Sequence, residues 1–339
     1  MLEKQRLLPS AEELKTELPL SKELEKIKLS RDEEIKSALL GKSGKRLIVV
    51  GPCSAHDFSA TLEYAVRLGK LAEKVKDKLV LVPRIYTNKP RTRGVGYQGM
   101  FLQPDPNGEA DMSKGLKAVR KLHLSVLNES GLSGADELLF PELAEYSCDL
   151  VSYYAVGARS VENPLHRQVA SGLEVAVGMK NPMSGNLQAT VNAVFAAQTS
   201  QIFKFGDYQV RSSGNPYAHA VLRGGVDAFG KDISNYDERS LERVWGLYQD
   251  CDAKNPATLI DANHSNSGKK FFEQAEIVKE VVGMCKRNEV YARLVKGFMI
   301  ESFLEQGNQA TAEEYGRSIT DPCLGWADTE RLILELAEV

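Results

Sequence analysis

No stretch of the 339 residues comes near the eighteen consecutive apolar residues that a membrane span needs, so the chain is expected to lie off the membrane. An excess of one charge is missing too. Lys and Arg number 43 against 46 Asp and Glu, a net charge of −3, which excludes the global positive field of a nucleic-acid binder and makes any basic site local. Cysteine is sparse, odd in number and scattered (Cys53, Cys148, Cys251, Cys285, Cys323), with neither a disulfide framework nor a zinc-knuckle spacing. Reduced thiols are expected, one of them available as a ligand. The first 34 residues are densely charged, unlike a signal peptide, so the expected location is cytoplasmic.

Residues 1–45 read as an N-terminal helical arm, with capping boxes at Ser10…Glu13 and Ser30…Glu33 and a stop at Gly41. Such an arm either packs on a neighbouring subunit or covers the bottom of its own fold. From Lys45 onward short apolar runs alternate with helical patterns. The runs are 46–52, 79–84, 137–140, 154–158, 173–178, 219–223, 258–263 and 294–300. Eight such units predict an α/β fold, a (β/α)8 TIM barrel over residues 46–339, with its chemistry where the strands end. Residues 94–111, rich in Gly, Pro and Asp, form an excursion suited to a flap. Alternation within 201–211 predicts an extra hairpin before strand 6, outside the barrel.

The residues closing the eight runs are Cys53, Arg84, Glu137, Arg159, Lys180, Arg223, His264 and Glu301. Any one of them means little, but eight reactive or charged types at eight strand ends is a pattern. After the second run, Arg84, Lys89, Arg91 and Arg93 fall within ten residues without an acid among them, and two prolines and a glycine stiffen the segment. Cations converging on one pocket repel unless a multiply charged anion offsets them, so the expected ligand carries phosphate and carboxylate together. Cys53, His264, Glu301 and Asp321 form a second set, whose open spacing suits a catalytic divalent transition metal better than a structural zinc. On the residues alone, the reading stops at a metal-assisted enzyme acting on phosphorylated carboxylates.

Several segments go further. GPCSAHD (51–57), PRIYTNKPRT (83–92), VGARS (156–160), HRQVASGL (166–173), VLRGG (221–225), IDANHSNSGK (260–269), MIESF (299–303), EQGNQ (305–309) and SITDPCLGW (318–326) resemble the type I 3-deoxy-D-arabino-heptulosonate 7-phosphate (DAHP) synthases, in register from about residue 30 onward. That resemblance implies a (β/α)8 barrel, phosphoenolpyruvate and erythrose 4-phosphate as substrates, and the first step of the shikimate pathway to the aromatic amino acids. It implies a divalent metal, Mn2+ ahead of Fe2+, Co2+ or Zn2+, held by Cys53, His264, Glu301 and Asp321. It assigns phosphoenolpyruvate to Arg84, Lys89, Ala158, Arg159, Lys180 and Arg223, with Glu137 and His264 beside it, and the phosphate of erythrose 4-phosphate to Arg91 and Thr92. A homodimer or homotetramer is expected, with no nucleic acid and no membrane as partners.

The implied chemistry is attack of C3 of the enol phosphate on the aldehyde. Lys89 is the expected proton donor to the new alkoxide, with His264 or water at the metal as alternatives, and water reaches C2 near Glu137 or the metal. Two rival readings are a sister barrel that condenses phosphoenolpyruvate with arabinose 5-phosphate, which resembles KANRSS where this chain has KPRT, and a non-catalytic sugar-phosphate binder. Feedback-inhibited relatives take an aromatic amino acid near the hairpin; here Glu174 replaces a small hydroxyl residue and the hairpin is short, so weak or absent inhibition by phenylalanine and tyrosine is expected.

Overall fold

A computed structural model describes residues 1–91 and 93–339. Helices α1 (Ala11–Glu17) and α2 (Lys22–Leu39) come first. Ser10 and Glu13 exchange capping hydrogen bonds at the start of α1, as the sequence predicts. The second expected cap is wrong: α2 starts at Ser21, whose side chain accepts from Leu24 N, and Ser30 lies inside the helix. Good helix formers run back from Ser30 without Gly or Pro, so the earlier serine takes the cap.

Strands and helices then alternate: β1 (Arg46–Gly51), α3 (Phe58–Val75), β2 (Leu79–Pro83), α4 (Met112–Ser130), β3 (Ala135–Glu137), a 3-10 turn (Pro141–Tyr146), β4 (Tyr153–Val156), α5 (Pro164–Gly172), β5 (Ala176–Lys180) and α6 (Leu187–Gln198). The expected hairpin follows as β6 (Ile202–Phe205) and β7 (Tyr208–Arg211), then β8 (Ala218–Leu222). A second hairpin, β9 (Gly225–Val226) and β10 (Asp232–Ile233), was not expected, because two-residue strands leave no alternation to read. The chain ends with α7 (Glu238–Asp250), β11 (Thr258–Asp261), α8 (His264–Ser267), α9 (Glu273–Arg287), α10 (Glu289–Leu294), β12 (Val295–Glu301) and α11 (Trp326–Ala337).

Eight parallel strands lie in the order β2-β1-β12-β11-β8-β5-β4-β3, and a parallel bridge between Arg84 and Ala135 joins the two edges. This is the (β/α)8 barrel. The largest boundary shifts are at two strands: β3 ends at Glu137 where the run 137–140 is expected to begin, and β5 occupies 176–180 because Leu173 still caps α5. The excursion does not stand free of the loop after β2. Phe101 N donates to Thr87 O and Lys89 N to Gln98 O, while Tyr97, Met100 and Phe101 are buried.

Alternation sorts the strand residues into two cores. Leu47, Val49, Val80, Val82, Tyr153, Ala155, Val221, Leu259 and Met299 face inward and pack with Ile35, Ala38 and Leu39 of α2. Helix α2 therefore plugs the bottom of its own barrel, through positions spaced to share one face. Ile48, Val50 and Leu81 face outward against Tyr64, Leu68 and Leu71 of α3.

His219 of β8 is wholly buried, its Nδ1–H donating to Tyr217 O at 2.9 Å, so that Nε2 accepts from the Tyr153 hydroxyl at 2.9 Å. Burial outweighs the hydrogen bond to Tyr217 and lowers its pKa from 6.5 to about 4. The folded state thus keeps His219 neutral where the unfolded chain protonates it. Its stabilisation is complete above about pH 6.5 and is lost as the pH falls toward 4, by roughly 3 kcal/mol. Urea unfolding of His219→Gln between pH 7 and 4.5 should show a flatter acid-side decline than the parent; equal slopes would refute this assignment.

Candidate active site

The loops beyond the strands enclose a cavity of about 160 Å³. Arg84, Lys89 and Arg91 line it from β2 and its loop, Glu137 from β3, Ala158 and Arg159 from beyond β4, Lys180 from β5, Arg223 from beyond β8, His264 from α8, and Asp321 from the final loop. Cys53 and Glu301 are fully buried. Thr92, expected beside Arg91, lies outside the described residues. Arg91 Nε donates to Tyr97 O at 2.8 Å, which ties this cation to the excursion.

Buried groups steady the cations. Arg84 NH2 lies 2.7 Å from Glu301 Oε1, its Nε donates to Pro52 O at 3.1 Å, and its guanidinium lies 3.8 Å from the centre of the Tyr86 ring. Lys180 Nζ lies 5.8 Å from the same ring and 3.0 Å from Asp261 Oδ2. Lys89 Nζ donates to Cys53 O at 2.9 Å and lies 3.2 Å from Cys53 Sγ. A ring face attracts cations without carrying charge, so Tyr86 holds Arg84 and Lys180 without neutralising them.

These surroundings move the titrations. Burial opposes charge on Lys89, but Cys53 and Glu137 outweigh it and raise its pKa, so the ammonium persists. Burial lowers Lys180 despite Asp261. Burial also raises Glu137 against the pull of Lys89 and Lys180, making it a better base than an ordinary glutamate. Asp261 runs the other way: burial resists its charge, yet His264, 2.9 Å away at Nδ1, and Lys180 hold it well below the usual range.

Local backbone choices serve the same end. A Cβ on Gly157 would come 2.5 Å from Glu137 Oε1, so a larger residue there would push the Glu137 carboxylate out of this position. His264 and Lys269, either end of the α8 turn, both adopt left-handed backbone angles (φ 52° and 61°), a cost that non-glycine residues bear where surrounding structure dictates it. Lys269 Nζ reaches Asp321 Oδ1 at 2.9 Å.

Cys53, Glu301 and Asp321 present ligand atoms within 4.8 Å of one another. His264 stands just outside this group, its Nε2 3.7 Å from Glu301 Oε1. That oxygen is buried and takes no aligned hydrogen bond, although Arg84 is near, while Asn263 Nδ2 donates to Oε2 at 2.6 Å. One thiol, one imidazole and two carboxylates with an oxygen left open fit a divalent transition metal.

The sequence reading gathered the lining cations and the four metal-type residues but missed Tyr86, Asp261 and Lys269. Asp261 had a usable signal: β11 ends on it, so the acid closes the strand and His264 belongs to the next turn. Tyr86 had none, since an aromatic three residues past a strand reads as core.

The DAHP synthetase I family model matches residues 25–334. The Trp-sensitive phospho-2-dehydro-3-deoxyheptonate aldolase of Enterobacter agglomerans is 39% identical over 317 residues, 90% of this chain and 87% of the relative. The Phe-sensitive enzyme of that name from Escherichia coli (strain K12) is 38% identical, over 89% of this chain and 86% of its own. Among solved structures, the phospho-2-dehydro-3-deoxyheptonate aldolase of Francisella tularensis SCHU S4 superposes with a TM-score of 0.92 at 31% identity, covering 100% of this chain and 98% of that one.

Cys323 is buried close enough to Cys53 that, after burial and Glu301, the Cys53 charge raises its pKa. Protein treated with a chelator and left in air should therefore acquire a Cys53–Cys323 disulfide, the two thiols passing protons and electrons to oxygen. Peptide mapping should find that link in the parent but not after Mn2+ loading and not in Cys323→Ser. Its absence from the chelated parent would show that the thiols are not coupled.

Proposed function

The chain belongs to the DAHP synthetase I family, and from that membership we propose how its own residues carry out the family's reaction. It is a metal-dependent transferase, a DAHP synthase, that condenses phosphoenolpyruvate and erythrose 4-phosphate with water to give DAHP and phosphate, opening the shikimate pathway. The observation carrying the residue assignment is the convergence of Arg84, Lys89, Arg159, Lys180 and Arg223 on one cavity.

In this reading those five cations and the main chain at Ala158 hold the phosphate and carboxylate of phosphoenolpyruvate. Arg91 and Thr92 hold the phosphate of erythrose 4-phosphate. Forked arginine donors fix orientation and lysines supply point charge. A divalent metal held by Cys53, His264, Glu301 and Asp321 supplies Lewis-acid polarisation of the aldehyde when bound. The family resemblance puts Mn2+ first, while the thiolate and imidazole donors also suit Fe2+, Co2+ and Zn2+, which are the ions to compare. C3 of phosphoenolpyruvate attacks C1 of the aldehyde, and Lys89, kept protonated by Cys53 and Glu137, gives its proton to the new alkoxide. Water adds at C2 and Glu137 takes its first proton; the hemiketal phosphate then collapses, the C2 hydroxyl giving its proton to the departing phosphate as the C–O bond breaks and the C2 ketone forms.

No helix among the described residues is long and apolar enough to cross a membrane. We assign the enzyme to the cytoplasm, with residues 1–45 as an N-terminal layer on a catalytic barrel of 46–339. Exposed Ile202 and Tyr208 on the β6–β7 hairpin support a homodimer or homotetramer.

Phosphate release with erythrose 4-phosphate but not arabinose 5-phosphate tests the substrate pair. Within that assay, Lys89→Ala should lower kcat by about 100-fold or more, a far larger effect than its weakening of phosphoenolpyruvate binding. Arg223→Ala should mainly raise KM for phosphoenolpyruvate, by about tenfold or more. Matching effects on both parameters in both variants would remove this division of roles.

An apolar cavity of about 270 Å³ lies between α5 and the hairpin, lined by Leu173, Phe203, Phe205 and Val210, with the Glu145 carboxylate at its wall. Exposed Glu174 follows Leu173. Arg211 also lines this cavity, but in this reading Glu174, standing in place of a small hydroxyl residue, repels an amino acid's own carboxylate, so phenylalanine and tyrosine should inhibit weakly or not at all; half-inhibition at micromolar concentration of either would contradict this.

A further inference from the structure

Three buried asparagines tie together the strand ends that carry the substrate cations. Asn181 follows Lys180, Asn235 follows the β9–β10 hairpin, and Asn266 lies in α8; they are 0%, 6% and 7% exposed. Asn181 Oδ1 accepts from Arg223 N at 2.8 Å and from Asn235 Nδ2 at 3.0 Å, and its Nδ2 donates to Gly224 O at 2.8 Å. Asn235 Oδ1 accepts from Gly224 N at 2.7 Å, and Asn235 N donates to Asn266 Oδ1 at 2.9 Å. Asn266 Nδ2 donates to Leu222 O at 3.0 Å and to Asp261 O at 2.8 Å. The lattice therefore spans β5, β8 and β11, and no side-chain polar atom of the three is left unpaired.

Its chemistry answers a specific difficulty. Lys180 and Arg223 must stay apart at a spacing an anion can bridge, and the backbone groups around them must still be satisfied. Apolar side chains would orphan those N–H and C=O groups. Acids would satisfy the N–H groups but bind the cations in place of substrate. Primary amides donate and accept without charge. Arg223 shows the result: its NH1 meets only Met183 Sδ at 3.6 Å and Gly224 O at 3.5 Å, and among the described residues no carboxylate pairs with it. Gly224 lets the strands close up, since at φ 74° a Cβ there would come 2.7 Å from Asn266 N and 2.8 Å from Ile233 O.

We propose that Asn181, Asn235 and Asn266 are positioning residues that fix the separation of Lys180 and Arg223 for phosphoenolpyruvate, and that their neutrality leaves the Arg223 guanidinium available to it while Lys180 rests on Asp261. This rests on the reading that Lys180 and Arg223 bind that substrate. The discriminating variant is Asn235→Asp, nearly isosteric but charged and unable to donate to Asn181. It should raise KM for phosphoenolpyruvate about tenfold, leave KM for erythrose 4-phosphate within about twofold, and change kcat far less than KM. The uncharged Asn235→Ser, which keeps an acceptor for Gly224 N, should raise KM less than Asn235→Asp does, and it serves as the test by itself, with KM about threefold above the parent, if the aspartate variant does not fold. A folded Asn235→Asp whose melting temperature falls while KM for phosphoenolpyruvate stays within about twofold of the parent would overturn the inference, leaving the asparagines purely structural. Arg223→Ala separates the two layers. If it fails to raise KM, the reading of the cations is at fault; if it raises KM while Asn235→Asp and Asn235→Ser do not, only the lattice proposal falls.

Discussion

Arg84, Lys89, Lys180 and Arg223 repel one another across a cavity of about 160 Å³. Left alone, such a group would swing apart or take up acids that cancel it. The protein does neither completely. It places Asp261 and Glu301 beneath the cations rather than among them, and a neutral ring at Tyr86. What remains is a cavity with net positive character, and in the proposed function a bound phosphate and carboxylate offset the cost of holding it so.

That arrangement needs a rigid frame, and the barrel supplies it. Each strand delivers one side chain to the rim from a backbone fixed on both sides by parallel neighbours, and α2 closes the bottom so that the interior packs as an ordinary apolar core. Positional accuracy at the top thus draws on burial at the bottom. The metal-type residues draw on it as well, because Cys53 lies just beyond β1 and Glu301 ends β12, adjacent strands whose register pairs Gly51 with Glu301.

Much of this was legible from the chain alone, for a physical reason. Buried parallel strands must be apolar throughout and must stop abruptly at a polar residue, so a run such as 79–84 announces both its strand and Arg84. The same logic located Lys180, Arg223 and Glu301. It failed where structure is not written in apolar runs. β3 has three residues, two of them acids, and was misplaced by two positions; the β9–β10 hairpin has no pattern at all. The roles of Asp261, Tyr86 and the three asparagines depend on which strands become neighbours, and no local spacing encodes that.

The closing of the barrel also has a consequence for biosynthesis. β1 pairs with β12, and Gly51 lies opposite Glu301, about 250 residues later in the chain. A nascent chain emerging from the ribosome can form most of its cationic rim long before β12 exists, but the thiol of Cys53 must wait for Glu301 and Asp321 to be made. During that interval the outward edge of β1 is an unpaired strand edge, which is where such a chain is open to mispairing and where a chaperone has something to hold. The last strand to be synthesised completes the sheet and brings Glu301 beside β1, and Asp321, which follows it in the chain, then completes the metal-type cluster.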